Sequence, residues 1–220
     1  MFNDMVKQYP CHLKYKEDFD YATIEKYVTC LKEKLREYVN ECPISFDRYY
    51  TEYFHPGSIR FIDGLTLYVL IRANKPESIL EIGSFTGASL KFMLAASLYT
   101  YSKITSVDIW PPGKIINPLI LIGRGDLLTA EEKTQIIHVT ENGVKFVQNT
   151  TDKFDLIFED SDHTYNTTYN IIKNIARISK DGCIMVNHDA GMSPIQRAFA
   201  DLDLHPDWIN NELAIMKIHG

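Results

Sequence analysis

The segment EDSDHTY, residues 159–165, places three carboxylates and a histidine within seven positions, and a second polar triplet, Asn187-His188-Asp189, closes the apolar run CIMV. Asp160 and Asp162 carry like charge, which raises a carboxyl pKa unless something compensates. A divalent cation would compensate, as would a cationic ligand. Oxygen-rich donor sets suit magnesium or manganese, and histidine widens the choice to iron or zinc. The sheet order could bring Asn187-His188-Asp189 beside Asp160. His163 and His188 carry imidazoles, which titrate near about 6.5 when unperturbed and can exchange a proton near neutral pH. Helix capping by Asp162 or Thr164 is the ordinary structural use of the same segment. Glu159 interrupts the apolar run just before Asp160 and must be paired if it is buried.

A second set of chemistry-bearing residues lies upstream in SILEIGSFTGASLKF, residues 78–92. An apolar run meets Glu81, and Gly83 and Gly87 then flank Ser84, Phe85 and Thr86. Glycine permits positive φ and a close ligand approach. GSFTG is neither a full GxGxxG turn nor a phosphate loop ending in GK[ST]. By itself it reads equally as a tight strand-to-helix turn. Asp108 follows 25 residues after Gly83, at the end of KITSVDI. A carboxylate so placed can accept both hydroxyls of a ribose, or simply be a solvated strand end. After QIIHV, Asn142 can cap the next helix, and Glu141 or Asn142 can face an adenine amine.

Residues so far apart act together only if the fold gathers them. Short apolar runs predict strands at 78–82, 103–109, 135–139, 153–160, 183–187 and 212–218. Helical spacing predicts helices at 63–73, 88–98, 143–149, 165–179 and 194–202, the last with Pro194 in its first turn. Thr129 and Glu132 match a capping box, although 115–134 as a whole reads as a short helix, an ordered loop or both. Asp181-Gly182 reads as a turn. Alternating strands and helices predict an α/β fold, a mostly parallel sheet with helices on both faces, which binds ligands beyond the carboxyl ends of its strands. Glu81, Asp108, Asp160 and Asp189 are therefore expected on one rim.

Upstream, residues 21–40 predict one helix, with Ile24, Tyr27, Val28, Leu31, Leu35 and Tyr38 on a shared face. It reads as a cover for the core edge, or as a dimer contact or lid. Tyr49, Tyr50, Tyr53, Phe54 and Trp110 are candidates for stacking on a flat substrate, or for core and dimer packing. Residues 1–58 are expected to form an amino-terminal helical arm or cap, and 59–220 the main domain.

The chain has 220 residues, 45% of them apolar, enough for one domain with a large core. A formal charge of -6 with pI near 5.6 disfavours a broad nucleic-acid footprint. The start, MFNDMVKQYPCH, lacks the apolar core of a secretory signal, and no run approaches the roughly 18 apolar residues of a membrane span. Cys11, Cys30, Cys42 and Cys183 show no paired metal spacing. A reducing, cytoplasmic setting is expected.

Taken in order, ILEIGSFTGASL, SVDIW, KFDLIFEDSDHTY and DGCIMVNHDA resemble the motifs of class I S-adenosylmethionine (SAM)-dependent methyltransferases, over roughly residues 60–218. The flavour is that of small O-methyltransferases, including cation-dependent and natural-product or sugar-modifying relatives. The resemblance implies a Rossmann-like, seven-stranded sheet with its last strand antiparallel. It implies that Gly83–Gly87 hold the methionine part of SAM and that Glu81 fixes its ammonium or shapes the turn. Asp108 would hold the ribose, Glu141 and Asn142 would border the adenine, and Asp160 would lie beside cofactor and substrate. Asp160, Asp189 and His188 would hold Mg2+ or another divalent cation. Cation-dependent members often carry DADK and a later Asp-Asn pair, where this chain has DSDH and NHD. A lysine base is thus absent; His163 stands in the corresponding place and, with His188, is a candidate catalytic base. The expected activity is O-methylation of a small hydroxylated metabolite. N-methylation of a small amine and a non-catalytic SAM-binding module are the alternatives.

Overall fold

The structure, a computed structural model, describes residues 19–117, 122–210 and 212–219. Residues 1–18 of the expected amino-terminal arm lie outside these residues, and Cys11 with them. The central strand β1 (Ser78–Ile82) is apolar but for Ser78 and Glu81, and its last four residues are buried. Burial on both faces is what a continuous apolar strand requires. β1 pairs in parallel with β2 (Lys103–Asp108) on one side and with β6 (Phe154–Glu159) on the other. β5 (Ile136–Thr140) extends the sheet beyond β2, and β7 (Ser179–Asn187) extends it beyond β6. β9 (Leu213–Ile218) runs antiparallel to β7, and β8 (Asp207–Ile209) closes that edge. The order is β5-β2-β1-β6-β7-β9-β8. Because β8 is antiparallel to β9, β9 alone runs against the rest. A hairpin of β3 (Ile115–Asn117) and β4 (Ile122–Gly123) lies outside the sheet.

Strand periodicity divides the core between two faces. Ile79, Ile104, Leu156, Phe158 and Val186 join one apolar cluster, and Leu80, Ile82, Val107, Ile157 and Met185 join the other. The first face is covered by α4 (Phe61–Asn74), α5 (Ala88–Thr100) and the amino-terminal segment. The second is covered by α7 (Gly143–Asn149), α8 (Tyr165–Ile178) and α9 (Ser193–Asp201). α6 (Ala130–Thr134) starts at the expected capping box: the Thr129 hydroxyl accepts from Glu132 N–H at 3.1 Å, and Glu132 accepts from Thr129 N–H at 2.7 Å.

Three expectations need correction. Residues 21–40 form two helices, α1 (Tyr21–Glu25) and α2 (Lys32–Glu41). Between them the Tyr27 hydroxyl is anchored to Asp207 at 2.9 Å and to the Ile215 carbonyl at 2.9 Å, and β-branched Val28 and Thr29 favour a break. Leu31, expected on the buried face, is 77% exposed. Asp181-Gly182 lies inside β7 rather than in a turn, at an irregularity where Gly182 holds φ +73°. The strand Asp207–Ile209 was not anticipated. A short helical turn, α3 (Phe46–Arg48), continues as a π-helical turn through Tyr49–Tyr53. Tyr49 and Tyr50 are buried there among Phe46, Phe61 and Phe92, so these two rings serve the core.

Candidate functional site

The parallel ladder runs past the strand ends and ties their tips together. Gly83 N–H donates to Val107 C=O at 2.8 Å, and Glu141 N–H to Asp108 C=O at 3.0 Å. Asp160 N–H donates to Ile82 C=O at 2.8 Å, and His188 N–H to Glu159 C=O at 2.9 Å. The chain turns outward from β1 to β2 and β5 and later from β6 to β7, so the strand order reverses between β1 and β6. A cleft of about 260 Å³ opens at that switch point, as expected for such sheets. Gly83, Phe85, Asp108, Trp110, Asn142 and Asp160 are among its walls.

Gly83 is required by this geometry. It holds φ +88°, and a Cβ there would lie 2.1 Å from the Asp160 carbonyl oxygen. Phe85, His163 and Asp189 hold φ of +42°, +55° and +50°, an unusual backbone for non-glycine residues and one that gathers on this rim. Asp108 accepts from Ser84 N–H at 3.0 Å and from Trp110 N–H at 2.9 Å. Asn142 borders the cleft and also caps α7, accepting from Lys145 N–H at 3.2 Å.

Other expected cofactor contacts are arranged differently. Glu81, Ser84, Thr86, Gly87 and Glu141 are not among the residues lining the cleft. Glu81 is fully buried beneath the turn and accepts from the hydroxyls of Ser89 and Ser106. Burial pushes its carboxyl up to about 8 despite those two donors. The Thr86 carbonyl accepts from Leu127 N–H at 3.1 Å, and Gly87 packs against Leu128, so the outer side of the turn is taken by the segment after β4.

Beside the cleft, Asp160, His163, His188 and Asp189 offer ligand atoms that all lie within 4.8 Å of one another. Asp160 Oδ1 is 3.1 Å from His163 Nε2 and 3.1 Å from His188 Nδ1. Asp189 Oδ2 is 3.2 Å from His163 Nε2 and 3.4 Å from His188 Nδ1. The other His188 nitrogen, Nε2, is 3.5 Å from Asp63 Oδ2, an ion-pair distance rather than a hydrogen bond. Asp63, wholly buried on the first turn of α4, is held by Arg60 at 3.0 Å. Burial would lower the His188 pKa, but Asp160, Asp189 and Asp63 push it up to about 12. Burial would raise the Asp160 carboxyl, but the two histidines hold it down to about 2. The hydrogen bond to Asp160 also raises His163.

Sequence reasoning brought Asp160, His163, His188 and Asp189 to this rim, and missed Asp63 and Arg124. Arg124 is buried at 1% exposure, with its guanidinium on Ser84 in the turn after β1. Its only sequence signal is a charged residue in an apolar, glycine-bearing stretch. Asp162 stands apart from the cluster: it accepts from Thr164 N–H at 3.1 Å, while Thr164 caps α8. Glu159, buried at 1% exposure, accepts from Ser161 N–H at 3.2 Å and from the Asn187 side-chain amide, and its burial raises its pKa. The three described cysteines, Cys30, Cys42 and Cys183, are free thiols. No described helix is long and apolar enough to cross a membrane.

Residues 80–190 match a family described as "Methyltransferase domain". No curated protein matches the chain by sequence. Among solved structures, the chain is similar to the SAH-bound methyltransferase PaMTH1 of Podospora anserina, at 15% identity and TM-score 0.59, covering 94% of this chain and 97% of that one. It is similar to an O-methyltransferase from Bacillus cereus in complex with SAH, at 13% identity and TM-score 0.55, covering 93% and 100%. It is also similar to the O-methyltransferase TomG of Streptomyces achromogenes in complex with SAM, at 14% identity and TM-score 0.55, covering 93% and 99%. At such identities the likeness is one of fold.

Proposed function

The chain belongs to the methyltransferase domain family and has the class I SAM-dependent methyltransferase fold, and from that premise we propose that it transfers the methyl group of SAM to a hydroxyl of a small metabolite. The observation that carries this reading is the double role of Asp160, which walls the cleft and also touches both histidines. A nucleoside site and a proton-handling site therefore meet at one residue.

The residues present fit the cofactor. Gly83 leaves room where any side chain would strike the neighbouring strand, and Asp108 supplies a carboxylate on the cleft wall. Asp108 would accept the ribose hydroxyls and Asn142 would border the adenine, with Phe85 and Trp110 as apolar walls. Once bound, SAM supplies an already activated methyl group. The chain's part is to hold an acceptor hydroxyl in line and to take its proton.

The donor set also fits a divalent cation held by Asp160, His188 and Asp189. Ligand atoms of one ion bound at about 2.1 Å lie about 3.0–3.4 Å apart, and the His188–Asp160 and His188–Asp189 separations are 3.1 and 3.4 Å. Such an ion would supply the positive charge that the imidazolium protons otherwise supply, and would lower the pKa of a coordinated hydroxyl. His163, with 27% of its side chain exposed against 8% for His188, is the better placed of the two to receive the acceptor's proton.

Incubation with SAM and a panel of small hydroxylated compounds, read as SAH formation, tests the proposal. Acceptor-dependent SAH release with alcohols or phenols is expected. Release with amines alone would overturn the O-methylation reading, and tight SAH binding with no transfer to any acceptor would favour a binding module.

A further inference from the structure

Arg124 is a buried cation with an unusual set of partners. Its Nε–H donates to Ser84 Oγ at 3.0 Å, and its NH2 group to the Ser106 carbonyl at 2.9 Å and to Ser106 Oγ at 3.4 Å. Its remaining donors reach the carbonyls of Trp110 and Val139. Every partner is a hydroxyl or a carbonyl; no carboxylate among the described residues pairs with it directly. An isolated buried charge is costly, so the compensation must come through an intermediary.

The two serines provide it. A guanidinium only donates, so Ser84 Oγ must accept from Arg124 and is free to direct its own proton elsewhere. That proton points to Asp108 Oδ2, 3.3 Å away, which also accepts Ser84 N–H at 3.0 Å. Ser106 Oγ in the same way donates to Glu81 at 2.8 Å. One guanidinium thus orients two carboxyl groups, those of Asp108 and Glu81, through two hydroxyls, and its contacts span the tips of β1, β2 and β5.

We propose that Arg124 is a positioning residue for nucleoside binding: through Ser84 it fixes the Asp108 carboxylate against the ribose hydroxyls. The inference rests on the reading of Asp108 as the ribose-binding carboxylate. It assigns a role to the segment after β4, which reaches the cofactor turn from outside the sheet. Arginine is needed because its planar fork serves both serines at once, which the single ammonium of lysine cannot do.

Calorimetric titration with SAH and with its 2′-deoxy analogue tests this. The wild-type protein is expected to prefer SAH. Arg124→Lys and Ser84→Ala should each weaken SAH binding by about 10- to 100-fold, the range for a hydrogen bond to a charged group, and bring the SAH to 2′-deoxy-SAH ratio toward unity. The double variant should lose no more than the weaker single one, since the two act in series. A role confined to folding would weaken both ligands alike, and that result, or a wild-type ratio in both single variants, would overturn the proposal. If Arg124→Lys does not fold, Arg124→Gln, which keeps one donor without the charge, takes its place beside Ser84→Ala. Failure of the wild-type protein to bind either ligand would instead bring down the nucleoside reading, and this proposal with it.

Discussion

Asp160 and Asp189 each meet both imidazoles through a single oxygen, so a change at either residue alters the charge of the whole cluster. Asp160→Asn is expected to abolish binding of Mn2+ or Mg2+ measured by calorimetry; unchanged divalent binding would remove Asp160 from the ligand set. His163→Ala should lower turnover by about 100-fold or more, the usual share of a general base, while SAH affinity stays near the wild-type value. Near-normal turnover would end its assignment as the base. Glu81 makes a separate prediction. Its folded-state pKa is raised to about 8, so between its unfolded value and that point the folded protein binds more protons than the unfolded one. The stability its neutral form permits is complete at low pH and is lost as pH rises, from about 4.5 to about 8. Melting temperatures measured across that window should fall more steeply in the wild type than in Glu81→Gln, which keeps the shape and cannot ionise.

At the scale of elements, the site depends on how closely strands and helices approach. Gly83 follows β1 where the carbonyl of Asp160, just past β6, passes, and its φ of +88° suits glycine alone. Gly83→Ala should therefore destabilise the protein by more than about 1 kcal/mol and remove SAH binding, checked by thermal melts and calorimetry together. The α4–α5 contact is similarly tight: a Cβ on Gly64 would lie 2.3 Å from the Phe92 ring. α4 also carries Asp63, so its packing against α5 and the position of the His188 partner are set by the same contact. The β3–β4 hairpin and the residues after it are the element that the sequence describes least well. Its backbone pairs with Phe85 and Thr86 carbonyls, through Gly125 N–H at 2.9 Å and Leu127 N–H at 3.1 Å. No hydrophobic period announces such a role, because main-chain hydrogen bonds to Phe85 and Thr86 place the segment and its apolar contacts, such as Leu128, are few and irregularly spaced.

On the scale of the whole molecule, residues 19–58 contribute Ile24, Leu35, Val39, Ile44 and Tyr49 to the cluster that also holds Ile79, Leu156 and Val186 of the sheet. A chain starting at residue 59 would expose that face, and burial of each large apolar side chain is worth about 1.5–3 kcal/mol. The truncated chain is expected to lack a cooperative melting transition; a sharp transition near the wild-type temperature would mark residues 1–58 as dispensable. Much of the architecture was legible in the sequence. Six strands and the helices between them announced themselves through local apolar period, and the parallel sheet then implied that the polar tips meet. The break between α1 and α2 was missed: the β-branched Val28-Thr29 pair is only a weak local signal, and Tyr27 reaching Asp207 and Ile215 at the far end of the chain is a tertiary contact. Asp63 and Arg124 escaped for the same reason: each looks like an ordinary charged residue until the partners that surround it are known. The sequence by itself determined the order of the elements and the residue types at the strand ends, because both follow from near-neighbour patterning along the chain. Only the tertiary structure decided which carboxylates stay charged, which face the cleft and which cation steadies them, because those outcomes depend on burial and on distances between segments that the chain joins only by folding.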